Sequence, residues 1–343
     1  TSRTVAVHRM FYGLITATHP VSDNVVKVTP AKPFFPGELV YTSASTGTTD
    51  LNGAQPLTPT VWQFQATAPT GHGYLADPVN VGTGSDATYS LAWGDFDGDG
   101  DLDLAVGNDG QQNVVYPNNG DGSFGAPINF GTGSDATNSL AAGDFDGDGD
   151  LDLASGNLYE LNMVYPNNGD SSFGAGIPFG TVSEGTYSLA AGDFDGDGDL
   201  DLAVGNEYDQ QNIVYLNNGS GAFSAGIDFG SGDDAIYSVA WGDFDGDGDL
   251  DLAAGDAGGQ NVVYPNNGAG SFDAGISVGA GTNGTNSVAW GDFDGDGDLD
   301  LAVGNASGQN MVYPNNGDGS FGSPVNVGAG SDTALSMAWG DFD

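Results

Sequence analysis

The sequence predicts an all-β chain, and three observations predict it. A twelve-residue stretch, GDFDGDGDLDLA, begins at Gly94 and returns at Gly143, Gly192, Gly242 and Gly291, with a sixth start at Gly340. Each interval of 49 or 50 residues divides into four short runs rich in Val, Leu, Ile, Tyr and Phe, separated by Gly, Asn and Asp. Between 75 and 343 no run keeps its apolar residues at a 3.6-residue period, and glycine interrupts every segment. Four antiparallel strands per 49-residue unit fit the blade of a β-propeller-type array, whereas the coils of a parallel β-helix are much shorter.

Residues 1–72 stand outside the period. Their alternating runs TVAVH, NVVKVTP, ELVYTSA and TVWQFQA, with Pro-rich turns between them, predict a small antiparallel sandwich. APTGHG (68–73) reads as a linker to the repeats of 73–343, five whole and a partial sixth. In the first unit the strands are expected at 90–96 (SLAWGDF), 104–108 (LAVGN), 113–117 (NVVYP) and 125–131 (GAPINFG). The Asp-rich loop, DGQQ and NNGDGS connect them, and Asn119-Gly120 supplies the positive-φ residues of a tight hairpin.

Composition narrows the function. Acidic residues number 47 against four basic ones, and the formal charge is -43. The basic residues are Arg3, Arg9, Lys27 and Lys32, so the repeats carry no positive side chain with which to displace counterions from a nucleic acid. Anionic lipid is disfavoured for the same reason, and no stretch of 18 apolar residues is present to insert into a membrane. Such acidity suits either a metal-loaded protein or a surface adapted to high salt. Cysteine is absent, so disulfides contribute nothing. The opening TSRTVAVHRMFYGLITA has neither the form of a signal peptide nor an initiator Met, and a processed or shortened N-terminus is expected.

The repeated loop carries the chemistry. Counted from Asp95, carboxylates fall at positions 1, 3, 5 and 9 (Asp95, Asp97, Asp99, Asp103), with Gly100 at position 6 and the backbone carbonyl of Asp101 expected to face inward at position 7. Alternate positions of a tight turn aim hard oxygens at one centre, in a number that suits Ca²⁺ better than Mg²⁺; Cys and His for zinc are missing from the loop. Val106 at position 12 excludes an EF-hand, which needs a bidentate Glu there.

DxDxDGxxD between the first two strands of a four-stranded repeat resembles the calcium loop of FG-GAP/VCBS repeats, found in integrin α-subunit propellers and in secreted bacterial proteins. FGAP at 124–127 and FGSP at 321–324 match that family's naming letters; FGAG, FSAG and FDAG depart from them in copies two to four. The resemblance covers about 75–343 and implies about five calcium ions. Its side-chain ligands would be Asp95, Asp97, Asp99 and Asp103; Asp144, Asp146, Asp148 and Asp152; Asp193, Asp195, Asp197 and Asp201; Asp243, Asp245, Asp247 and Asp251; and Asp292, Asp294, Asp296 and Asp300. Backbone ligands at position 7 would be Asp101, Asp150, Asp199, Asp249 and Asp298. VTPAKPFFPGELV and VWQF in 1–72 resemble bacterial Ig-like domains, with the usual opening strands missing.

Catalysis is not expected. His8, His19 and His72 lie outside the repeats without mutual spacing, and the propeller has no Lys, Arg, His or Cys to clamp an oxyanion or pair with an acid. A secreted, calcium-binding structural or adhesive surface protein is the reading that remains, with other copies of itself, or a cell-surface protein or glycan, as partner. The alternative is a calcium-dependent, lectin-like propeller. Trp93, Trp241, Trp290 and Trp339 share one position of strand one, where Ala142 and Ala191 replace them, and Tyr116, Tyr165, Tyr215, Tyr264 and Tyr313 recur in strand three. Both sets are expected to be packing before they are sugar platforms. Sequons at Asn218, Asn283 and Asn305 are compatible with glycosylation. Strand four of a preceding blade (about 75–84) and strand one of a following one (LSMAWGDF, 335–342) would flank five whole blades, an arrangement that cannot close by itself and points to head-to-tail pairing in a filament or to a longer parent chain.

Overall fold

The computed structural model describes residues 79–82 and 86–339, apart from 181–184, 225, 280, 282, 329, 331 and 332, together with the backbone of eight short strands between Val5 and Gln65. In the N-terminal part, Gly13–Leu14, Val5–Arg9, Leu39–Ala44 and Thr60–Gln65 form an antiparallel sheet in that order. The remaining expectations for 1–72 and the linker fall outside the described residues.

The repeats form five four-stranded antiparallel sheets, each a meander of consecutive strands, and the described residues include no helix. The first blade consists of Thr88–Gly94, Asp103–Asn108, Asn113–Tyr116 and Ile128–Phe130. Its strand one starts two residues earlier than the apolar pattern suggests and stops at Gly94, where the acidic loop takes over. Strand two is buried along its whole length in every blade. That is why it reads as a short apolar run without alternation: it has a pairing strand on either side and, in an interior blade, a neighbouring blade on each face.

First strands lie against one another from blade to blade, and the core sits between blades. Phe96, Ala105, Val115 and Phe130 of the first blade pack with Leu140, Leu151, Leu153 and Tyr165 of the second. The other core clusters likewise draw on two successive blades. One blade therefore cannot bury its own apolar face, as in other repeat architectures. Tyr165 and Tyr215 are buried, edge-on to Phe130 and Phe179. Trp241 is buried and its Nε1 donates to the Ala190 carbonyl of the preceding blade at 3.0 Å; Trp290 and Trp339 repeat the bond to Ala240 and Ala289, each at 3.1 Å. These tryptophans are packing, as expected.

A second tie recurs at the same interface. Leu140 N donates to Ser90 Oγ, Leu189 N to Ser139 Oγ, Val239 N to Ser188 Oγ, Val288 N to Ser238 Oγ and Met337 N to Ser287 Oγ, all at 2.9–3.0 Å. The expected strand at 335–342 is not hydrogen-bonded in a ladder over its described part, up to 339. Residues 333–339 hold their place by the Met337 and Trp339 bonds, by Ala334 N to the Asn305 carbonyl, by Thr333 Oγ1 to the Ala306 carbonyl and by Asn286 Nδ2 to the Ala334 carbonyl. Those bonds fix a position beside blade five but are too sparse to make a strand pair.

Candidate metal centres

Each acidic loop leaves strand one at a glycine and enters strand two at the ninth-position aspartate. Gly98 and Gly100 have φ of 78° and 105°, and the same pair of left-handed residues recurs in all five loops. Position 6 was expected to need glycine; position 4 needs it as well, because two left-handed residues in three fold the chain tightly enough to bring the carboxylates together.

The carboxylates brace the loop from within. Asp97 Oδ1 accepts from Asp99 N at 3.1 Å, and Asp99 Oδ1 from Asp101 N at 2.9 Å. Asp95 Oδ1 accepts from Gly100 N at 3.3 Å. In each loop a carboxylate oxygen from each of three aspartates gathers within 4.8 Å of the others: Asp95, Asp97 and Asp99; Asp144, Asp146 and Asp152; Asp193, Asp195 and Asp197; Asp243, Asp245 and Asp251; Asp292, Asp294 and Asp300. Positions 1 and 3 belong to every group, and position 5 or 9 completes it. One oxygen of Asp243, Oδ1, is buried without a hydrogen-bond partner. A set of hard oxygens with a buried acceptor left over is suited to a divalent cation of the calcium type.

Position 9 has a second task. Asp103 is fully buried, and its Oδ2 accepts from Phe96 N at 2.8 Å while Oδ1 accepts from Asn118 N at 2.7 Å. Asp152, Asp201, Asp251 and Asp300 make the same pair of bonds. The ninth aspartate thus ties the loop to the turn after strand three. Position 7 points elsewhere: the Asp101 carboxylate lies over Gly120, where a Cβ would collide with it, and Asp150, Asp199, Asp249 and Asp298 lie likewise over Gly169, Gly219, Gly268 and Gly317. No side chain from position 7 joins the converging groups.

The assembled charge is costly. Burial pushes the Asp152 carboxyl up to about 8, with Asp146 and Asp144 adding to the rise against the N–H groups of Asn167 and Phe145. Asp251 is raised to about 8, mainly by burial and further by Asp245 and Asp247. Asp103 and Asp195 rise to about 6 by burial first, and Asp201 is raised well above the usual carboxylate range for the same reason. Such shifts cluster where a protein gathers like charges for a purpose.

Sequence reasoning missed the asparagine of the turn after strand three. Asn167 Nδ2 donates to the Phe96 carbonyl inside the acidic loop of the preceding blade at 2.8 Å, and Asn217, Asn266 and Asn315 reach Phe145, Phe194 and Phe244 in the same way. The recurring Asn-Asn-Gly carried the signal, but its hairpin role explained it too easily. Of the three sequons, Asn218 and Asn283 are exposed, whereas Asn305 is buried and its side chain is bonded to Thr285 and Gln309. The histidine side chains fall outside the described residues.

Fold and loops together define a propeller-type repeat protein with one acidic, cation-suited loop per blade. Residues 95–155, 144–204, 193–254, 244–303 and 292–343 each match the FG-GAP-like repeat, and the chain belongs to that family. A search of curated protein sequences finds no match. Among solved structures the chain is similar to the BP39L lectin of Burkholderia pseudomallei, at 15% identity and a TM-score of 0.62, over 85% of this chain and 81% of the lectin. It is also similar to a lectin of Agrocybe aegerita specific for non-reducing terminal N-acetylglucosamine, at 18% identity and a TM-score of 0.54, over 95% and 90% of the two chains. The Dos1 propeller is matched at 13% identity and a TM-score of 0.51, over 88% and 71%. At these identities the likeness is one of fold.

Proposed function

We propose that the chain is a calcium-loaded binding scaffold, adhesive or structural in role, acting outside the cell or at its surface and not as a catalyst. The observation that carries this reading is the repetition of one site: five loops of identical spacing, in each of which three carboxylates converge within 4.8 Å, in a chain with no Lys or Arg after Lys32. A cation is the remaining means of neutralising that charge. The expected ligands are the side chains at positions 1, 3, 5 and 9 and the backbone at position 7. The first four loops are each braced against the next blade, so an ion bound there stabilises two blades at once.

Chelation tests it. Binding at 100-fold over Kd stabilises by roughly 2.7 kcal/mol per site, so excess EGTA should lower the melting temperature by tens of degrees and calcium should restore it, with magnesium restoring less. An unchanged melt in EGTA would sink the calcium reading.

Self-association belongs to this reading. Leu91 is 57% exposed on the inner strand of the first blade, whereas its counterparts Leu140 and Leu189 are 8% and 7% exposed beneath the preceding blade. A second copy that covers Leu91 would extend the blade stack head to tail. Assemblies seen by sedimentation or imaging, and dissolved by Leu91→Glu, would support it; a monomer at all concentrations counts against it.

Glycan binding is the second reading, favoured by the two lectins among the similar structures. A glycan array probed with calcium-loaded protein distinguishes it from a purely structural role.

A further inference from the structure

The repeats differ most from one another at the end of the blades opposite the acidic loops. In the turn between strands two and three, the first unit reads DGQQ, the fourth AGGQ and the fifth ASGQ, but the second reads LYEL and the third EYDQQ. Tyr159 occupies the place of Gly110 and keeps its left-handed backbone, with φ of 59° against 63°. A left-handed non-glycine residue costs about 1–2 kcal/mol, and an aromatic side chain 60% exposed gains little burial in return. Backbone strain retained at an exposed aromatic points toward function.

Strand one contributes to the same end. Every blade has a register shift there, and the residue it leaves unpaired is Tyr89, Asn138, Tyr187, Tyr237 or Asn286. Bulges of this kind re-aim a side chain. Asn138 uses its side chain to hold the next blade, donating to the Thr186 carbonyl at 3.2 Å, and Asn286 holds the segment beside blade five, donating to the Ala334 carbonyl at 2.8 Å. Tyr187 and Tyr237 instead stack on each other, with ring centroids 4.2 Å apart and 25° between planes. Beside them the Tyr159 hydroxyl donates to Glu207 Oε2 at 2.6 Å, and both side chains lie over Gly185, two residues before Tyr187. Residues from three blades thus build one aromatic group with a single carboxylate.

We propose that Tyr159, Tyr187, Glu207 and Tyr237 form a binding site for a neutral carbohydrate. This rests on the glycan-binding reading and gives it a location. A sugar ring has an apolar C–H face and a rim of hydroxyls; flat aromatic surface covers the first, while a carboxylate and phenol hydroxyls bond the second. An organic cation would call for rings standing around a void, but Tyr187 and Tyr237 are closed against each other. Anionic glycans are opposed by the formal charge of -43.

The test uses the calcium-loaded chain on an array of neutral and anionic glycans, followed by titration of the neutral glycan best retained. Tyr159→Gly restores the residue found in other repeats, so the variant should melt no lower than the parent yet bind at least tenfold more weakly. Glu207→Gln should also lose binding, and Tyr89→Ala, the tyrosine at the equivalent bulge of the first blade, should not. If the parent binds a neutral glycan and Tyr159→Gly and Glu207→Gln bind it equally well, the site is wrong while the glycan reading stands. If the parent retains no glycan, both are overturned; a preference for anionic glycans overturns the proposed ligand class.

Discussion

Asn167 Nδ2 lies 2.8 Å from the carbonyl oxygen of Phe96, a bond that spans 71 residues and joins the turn of one blade to the acidic loop of the blade before it. Both groups are buried, so removing the donor strands a carbonyl. Asn167→Ala should therefore destabilise by about 1–3 kcal/mol. Asn168→Ala, which removes only an exposed bond to Ser172 Oγ, should change stability by less than about 0.5 kcal/mol. Urea unfolding of the two variants checks this, and equal losses would refute it.

Trp241 and Trp93 occupy equivalent positions in different surroundings, 4% and 43% exposed. Trp241→Ala removes a buried ring and its bond to the Ala190 carbonyl, and should cost about 3–5 kcal/mol. Trp93→Ala should cost markedly less, because its ring already meets solvent. Denaturant midpoints at matched calcium concentration measure the difference.

Within a loop, Asp99→Ala should weaken calcium binding more than Asp101→Ala. Asp99 converges with Asp95 and Asp97, whereas the Asp101 carboxylate lies over Gly120. Calorimetric titration of both variants decides, and equal losses would count against the ligand set.

Gly120 and Gly122 are both left-handed, with φ of 71° and 85°, but only at Gly120 would a Cβ meet the Asp101 carboxylate. Alanine at either position costs about 1–2 kcal/mol for the backbone. Gly120→Ala should add a loss of calcium affinity that Gly122→Ala does not show. Thermal melts with and without calcium separate the two contributions.

Stability should depend on pH in opposite ways with and without metal. Burial in the fold pushes Asp103 up to about 6 and Asp152 and Asp251 up to about 8, against about 4 in an unfolded chain. Between those values the folded state holds more protons than the unfolded one, so metal-free stability falls as pH rises from about 4 to about 8. Protein stripped of metal beforehand and held in calcium-free buffer should melt at a higher temperature at pH 5 than at pH 8. With saturating calcium the order should reverse, because protons and ion compete for the same oxygens. Calorimetric scans at the two pH values check both arms.

The repeat, the strand number per blade and the acidic loop were legible because each is local. A turn needs Gly at fixed places, a strand needs a short apolar run, and neither depends on what packs against it. The period then multiplied one local reading by five. The sequence by itself set position 7 apart as a backbone ligand, but it could not show where that carboxylate goes or that the ninth aspartate has a second task. Position 9 is a buried peg that accepts Phe96 N and Asn118 N, position 7 lies over Gly120, and positions 1 and 3 always face the centre. Those assignments depend on a turn 15 or more residues away in the chain. Only the tertiary structure decided that Trp241 is an inter-blade donor while Trp93 is half open, because burial there is a property of the neighbouring blade. It also decided that Tyr159, Tyr187, Glu207 and Tyr237 meet. They lie in three repeats, and only the side-by-side packing of first strands brings residues about 50 apart in sequence within reach of one another.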